Sequence, residues 1–309
     1  WKSLGTTAGR GEKLFEESPI QEYAGHRGDI LDLCWSHTDW LLSSSMDKTV
    51  RLWYTTMSEC LRIFTHQDFV TSICFNPVND KFFISGSLDG KLRMWNIPDL
   101  KVVDWVDVGE MVTSCMYASD GKRAVVGTHK GKCLSYGMDG HKFEYLHDIQ
   151  VKNSRSAKVV ARKITGIDFR PDNVENMLVT VNDSRLRVYD SSGRLDCKYK
   201  GHSNQNAQIR ASYSSNGRFI VSGSEQPDVY VWRADTVKTA QCGCGGSGVA
   251  KQSSYEKFST SERHVTVALF APDDVRTARA FPVEELTEAK GQIIVAAGYS
   301  GQISVYENI

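Results

Sequence analysis

A β-propeller, an all-β array of four-stranded sheets, is the fold that the 309-residue sequence predicts. Three observations predict it. A twelve-residue run ending in an aromatic recurs along the chain. The recurrence has the period of a propeller blade, ~40–45 residues. Each repeat also breaks into short β-branched or apolar runs joined by tight turns.

The repeat is clearest at residues 42–53, which end Asp47-Lys48-Thr49-Val50-Arg51-Leu52-Trp53. It returns at 84–95, ending Asp89-Gly90-Lys91-Leu92-Arg93-Met94-Trp95, and at 221–232, ending Asp228-Val229-Tyr230-Val231-Trp232. Weaker copies close at Tyr136, Tyr189 and Tyr306, so the closing aromatics are spaced by 42, 41, 53, 43 and 74 residues. The two long gaps contain insertions. Within the first unit, 30–35 alternates apolar and polar like a half-buried strand, 41–45 and 50–54 form a hairpin over Asp47-Lys48, and 60–64 adds a fourth strand. One such sheet cannot bury both faces, so neighbouring units must stack.

The visible blades span 24–64, 66–106, 110–149, 163–200, 202–259 and 263–309 of a single domain. Trp1 stands 52 residues before Trp53, which reads as the closing aromatic of a seventh blade. Residues 1–23 would then be the remnant of an incomplete blade, with 17–23 its outer strand and 2–16 a loop. A six-bladed propeller is the alternative. Two insertions, 235–261 and 271–291, read as disordered, with a short helix at 283–289 in the second.

Lys+Arg and Asp+Glu both number 37, so a strongly basic nucleic-acid binder is excluded and local patches must carry any polyanion binding. The longest apolar runs fall far short of the ~20 residues of a membrane helix. Six of the eight cysteines lie in β-type runs and read as small buried hydrophobes. Cys242 and Cys244 lie in a glycine-rich linker that lacks the further ligands of a zinc site. No metal or cofactor is expected, and the cysteines read as reduced.

Residues 152–163 carry five cations, Lys152, Arg155, Lys158, Arg162 and Lys163, and no acid. They join the third repeat to the fourth on the edge that bears the blade-entry loops. Such a cluster suits an acidic protein segment, an anionic lipid head group or a nucleic-acid backbone. A solvated loop kept soluble by its charge is the plain alternative. Aromatic interleaving is absent, which disfavours single-stranded nucleic acid. Phe69 begins an inner strand on the same edge and is a second candidate for partner binding, or else packs against the next blade.

These residues resemble the WD-repeat propellers over nearly the whole chain, from about residue 17 to 309. Gly25-His26 and Gly201-His202 match the blade-entry Gly-His pair, and His66 and His264 keep the histidine. Trp53, Trp95 and Trp232 match the tryptophan of the Trp-Asp ending, and Tyr189-Asp190 keeps the aspartate. The resemblance implies a relay in each blade from indole to hydroxyl to histidine to turn aspartate. That would be Trp53, Ser43, His26 and Asp47, then Trp95, Ser85, His66 and Asp89. In other repeats Lys130, Gln226 and Ser300 occupy the aspartate position, leaving those blades softer or held by packing alone. Asp228 falls off the relay, and its replacement would cost under ~0.5 kcal/mol if it is exposed. Ser-His-Asp here reads as a staple and not as a hydrolase triad.

Residues 69–72, 86–98, 162–167, 181–185 and 198–201 further resemble the propeller of the Rab-GTPase-binding WD-repeat group of endosomal recycling, with its fungal and plant relatives. That resemblance implies a non-enzymatic scaffold, an adaptor or effector in vesicle traffic. It would be cytoplasmic or peripheral on endosomal or Golgi membranes, with the Rab-type GTPase contacting sequence upstream of the propeller. A cullin-type ubiquitin-ligase substrate receptor is the alternative. It would usually show Trp-Asp-x-Arg, whereas the endings here are Trp53-Tyr54-Thr55-Thr56 and Trp95-Asn96-Ile97-Pro98. A phosphoinositide-binding propeller is the third reading. An enzyme would need convergent carboxylates or metal ligands, and none is legible.

Overall fold

The computed structural model describes residues 2–4, 18–151, 162–234, 249–272 and 292–308. The chain divides into two compact units, Pro19–Ile167, and Trp1–Ser18 together with Asp168–Ile309. Every regular element among the described residues is a β-strand, beginning with β1 (Lys2–Leu4). No helix of the described residues is long and apolar enough to cross a membrane.

The unit Pro19–Ile167 contains three four-stranded antiparallel sheets, each in sequence order. The first is β2 (Ile30–Trp35), β3 (Trp40–Ser45), β4 (Thr49–Tyr54) and β5 (Met57–Thr65). The second is β6 (Val70–Phe75), β7 (Phe82–Ser87), β8 (Lys91–Asn96) and β9 (Lys101–Asp107). The third is β10 (Val112–Tyr117), β11 (Arg123–Thr128), β12 (Lys132–Asp139) and β13 (Lys142–Gln150). The turn between second and third strands needs one residue in the left-handed region: Lys48 at φ 67°, Gly90 at 80° and Gly131 at 80°. Glycine reaches that region without a Cβ clash, which explains its place in two of these three turns.

The core of this unit lies between adjoining sheets. Leu42, Val50 and Phe64 of the first sheet meet Val70, Phe83 and Trp95 of the second. Met94 and Leu92 of the second meet Val112, Val126 and Tyr136 of the third. Full burial of such side chains is worth roughly 1.5–3 kcal/mol each. Inner strands are also stapled by side chain to backbone. Asp32 Oδ2 accepts from Ile73 N at 2.9 Å, Thr71 Oγ1 donates to Val112 O at 2.8 Å and Thr113 Oγ1 to Ile164 O at 2.6 Å. Each bond satisfies a polar group where the sheet ladder leaves it unpaired.

β14 (Ile164–Arg170) carries the chain into the second unit. Its sheet continues through β15 (Asn173–Val181), β16 (Arg185–Tyr189) and β17 (Leu195–Tyr199). The next sheet holds β18 (Ala211–Tyr213), β19 (Phe219–Ser222), β20 (Asp228–Arg233) and, after the insertion, β22 (Glu256–Ser259). Between these, β21 (Ala250–Gln252) adds a fifth strand to the preceding sheet, parallel to β17. The described end of the 235–261 insertion is therefore strand, not loop. Residues 235–248 and 273–291, including Cys242, Cys244 and the expected short helix, lie outside the described residues.

The last sheet corrects the blade count. β23 (Val265–Phe270), β24 (Ile293–Gly298) and β25 (Ile303–Glu307) supply three strands, and β1 pairs antiparallel with β25 as the fourth, in the register Lys2↔Glu307, Ser3↔Tyr306 and Leu4↔Val305. The described residues form six sheets, each one blade of the repeat, so the expected seven-bladed form is overturned in favour of six. The segment read as the remnant of a seventh blade instead completes the sixth. Trp1 and residues 5–17 lie outside the described residues, and 18–23 form no strand. Tyr23 rests on Trp53 at 5.4 Å between ring centroids.

Candidate functional site

The first blade contains the full relay. Asp47 Oδ2 accepts from His26 Nδ1 at 2.8 Å, which leaves His26 Nε2 to accept the Ser43 hydroxyl proton at 2.7 Å. Ser43 Oγ in turn accepts from Trp53 Nε1 at 2.9 Å. Burial works against the Asp47 charge. Hydrogen bonds from Thr49, Arg27 N and His26 overcome it and hold the carboxyl well below its usual range.

The second blade departs from that pattern. Trp95 Nε1 donates to Ser85 Oγ at 2.9 Å and His66 Nε2 meets the same oxygen at 2.7 Å. His66 Nδ1, however, faces Phe64 O at 3.2 Å and not Asp89. Asp89 instead receives both arms of Arg93, at 3.2 and 2.7 Å. The expected His66–Asp89 link is thus replaced by a carboxylate–guanidinium fork, because Arg93 projects from the strand that follows the same turn. The fourth blade repeats the fork, with Arg187 Nη1 on Asp183 Oδ1 at 3.0 Å and Nη2 on Asp183 Oδ2. This pairing was missed from sequence, although Asp-x-x-x-Arg recurs at 47/51, 89/93 and 183/187.

Two of the three blades lacking the turn aspartate have polar contacts of their own near that turn. In the fifth, Glu225 Oε1 collects three successive backbone N–H groups, Gln205, Asn206 and Ala207, at 2.9, 2.5 and 2.8 Å. In the sixth, the Ser300 hydroxyl donates to Glu262. Asp228 is buried at 7% exposure, so the condition for a small loss on its replacement is not met. Its Oδ1 accepts from Ser259 Oγ at 2.6 Å and its Oδ2 from Lys257 Nζ at 2.9 Å. Both donors lie on β22, which the chain reaches only after the insertion. Asp228→Ala is therefore expected to cost about 1.5–3 kcal/mol in urea unfolding. Most of this belongs to the buried serine bond, because Lys257 is half exposed.

Of the expected partner-binding residues, Lys152, Arg155 and Lys158 lie outside the described residues. Arg162 is exposed and Lys163 half-buried, and burial pulls the Lys163 ammonium below its usual pKa. Arg162 follows the β11–β12 turn closely. A Cβ on Gly131 would stand 2.7 Å from Arg162 O, so the turn glycine gives this segment its room. Phe69 is half-buried directly before β6, with its N–H on Asp68 Oδ1 at 2.8 Å and its carbonyl accepting from Leu88 N at 3.0 Å. Among the described residues, no group of three or more His, Cys, Asp or Glu is placed to hold a metal ion. The six described cysteines are thiols.

Comparison with known proteins agrees with this geometry. Residues 17–54, 58–96 and 193–233 match the WD40 family profile, "WD domain, G-beta repeat". Fold and repeats together make the chain a member of the WD40-repeat family. It is 39% identical over 317 residues to WD repeat-containing protein 44 of Xenopus laevis, an alignment covering 95% of this chain and 34% of that protein. It is 30% identical over 296 residues to an uncharacterized WD repeat-containing protein of Schizosaccharomyces pombe, covering 93% of this chain and 48% of the relative. Jouberin of Mus musculus is 26% identical over 233 residues, 70% of this chain and 22% of that protein. The chain spans less than half the length of each of these relatives.

Proposed function

We propose that the propeller is a non-enzymatic protein-interaction scaffold, an adaptor or effector in Rab-GTPase-linked vesicle traffic. It works in the cytoplasm or peripherally on endosomal or Golgi membranes. The observation that carries this reading is the 39% identity running over 95% of the chain, with a WD-repeat protein as the relative. The traffic assignment is supported by the stretches 69–72, 86–98, 162–167, 181–185 and 198–201. Absence of catalysis is supported by the relays: the Ser43 and Ser85 hydroxyls are each held between an indole and an imidazole, so neither is poised as a nucleophile. The partner meets the blade-entry edge at Phe69 and the 152–163 connection, and a Rab-type GTPase contacts sequence outside the propeller.

The test uses the whole chain and the triple variant Arg155→Glu, Lys158→Glu and Arg162→Glu. Binding to an immobilised acidic peptide should weaken steeply with salt in the parent and vanish in the variant, with melting temperature unchanged. Unchanged binding would show that the cations are merely solvated. A second reading, an anionic lipid head group, is favoured by five cations without one acid. It gains if phosphoinositide vesicles bind the parent and the acidic peptide does not.

A further inference from the structure

The fifth and sixth sheets enclose a pocket of about 100 Å³ at the edge opposite their blade-entry loops. Four of its ten lining residues are aromatic. Phe219 and Phe270 stand 6.4 Å apart between centroids, and Trp232 and Tyr255 are also 6.4 Å apart, edge to face. At its side lies Gln292, only 4% exposed, whose Nε2 has no hydrogen-bond acceptor among the described residues. The backbone around that amide is fixed, since Gln292 O accepts from Asn308 N at 2.9 Å. Buried side-chain donors are nearly always paired. One left unpaired beside an aromatic pocket is the mark of a site whose acceptor arrives with a ligand.

Size and charge define that ligand. Sites for cofactors and drug-sized molecules run to about 300–1,000 Å³. A pocket of about 100 Å³ instead admits a single ring-sized group. The rim carries one cation and one anion, Arg233 and Glu256, so net charge does not select the ligand. The four aromatic residues favour a ring that packs edge to face. Alongside runs β22, the last strand of its sheet among the described residues, which sets the edge of a sheet beside the pocket.

We propose that this pocket receives one aromatic side chain of a partner protein's extended segment, while a backbone carbonyl of that segment accepts from Gln292 Nε2. The site is separate from the blade-entry edge and does not depend on the basic connection.

The probe is N-acetyl-phenylalaninamide, which carries the ring and the carbonyl, with N-acetyl-alaninamide as the control. The 309-residue chain is titrated and followed by the Gln292 side-chain amide and Val231 methyl signals in NMR. Saturable shifts at both are expected with the phenylalanine probe and none with the control. Gln292→Leu should weaken probe binding roughly tenfold, the effect of one buried hydrogen bond. The same variant should melt no lower than the parent, because it removes an orphaned donor and keeps the volume. Absent or non-saturating shifts, equal binding by the variant, or a lower melting temperature would each overturn the proposal. The last would mean that the amide already has a structural partner.

Discussion

Replacing Asp183 by Ala is expected to cost about 3–5 kcal/mol, among the largest losses available to a single substitution in this chain. The reason is the residue left behind. Arg187 is 1% exposed, and Asp183 is its carboxylate partner through both terminal nitrogens. Removing the acid strands a guanidinium that cannot lose its proton and cannot reach water. Asp89→Ala should behave alike, since Arg93 is 8% exposed and leans on both Asp89 oxygens. Urea unfolding gives the measurement. The double change Asp183→Leu with Arg187→Met should recover most of the loss, because an apolar pair of similar volume avoids the desolvation of two charges. A loss under about 1 kcal/mol for Asp183→Ala would mean that Arg187 swings out to solvent.

The Asp89 result also separates what was legible in the sequence from what was not. The aromatics at 53, 95, 136, 189, 232 and 306 all fall on the third strand of a sheet, so the repeat period was readable from local composition alone. So was the relay in the first blade, where His26, Ser43, Asp47 and Trp53 are all present and joined. In the second blade the same four residue types are present, yet two bases compete for Asp89. Arg93 takes both carboxylate oxygens, whereas Arg51 at the same place in the first blade leaves Asp47 to His26. His66, neutral and buried, settles for a backbone carbonyl. Residue identity did not decide between these outcomes.

The blade count and Asp228 were illegible for a different reason. Lys2–Leu4 pairs with residues some 300 positions away, and the donors to Asp228 follow a long insertion. Periodicity reports neighbours along the chain. It carries no information on which distant strand takes a sheet's open edge. Trp1 lay near one period before Trp53 and so mimicked a blade ending, while the segment beside it was filling the edge of β25. The candidate site divides likewise: Phe69, Arg162 and Lys163 could be named from pattern, whereas the Gln292 pocket is assembled from strand ends far apart in sequence and has no motif.

Stability should fall as the pH drops from about 6.5 toward 4, and two histidines should cause most of the fall. His66 is 6% exposed and His202 is 2% exposed, with neither ring nitrogen of His202 partnered among the described residues. Burial pulls both imidazoles down to about 4, with Arg93 adding to the effect at His66. Nearby Asp89 pulls His66 the other way, and Asp183 and Glu225 do so at His202, without overcoming burial. Between pH 4 and 6.5 the unfolded chain therefore binds more protons than the folded one, so unfolding free energy rises with pH across that window. Each histidine contributes about 3 kcal/mol that is complete above 6.5 and lost as the pH falls through 4. Asp168 works in the opposite sense. Burial lifts its carboxyl to about 6 despite hydrogen bonds from the Tyr213 and Phe169 amides, so the folded chain keeps a proton that the unfolded chain releases. Acidification from 6 to 4 thereby returns about 3 kcal/mol, and the two histidines together outweigh it. Urea midpoints measured at pH 7, 6 and 5 should fall in the parent, fall less in the double variant His66→Gln, His202→Gln, and fall more steeply in Asp168→Asn. If the double variant kept the parental slope, both imidazoles would have to be charged in the folded chain, and the burial that sets their pKa would not be what governs the acid limit.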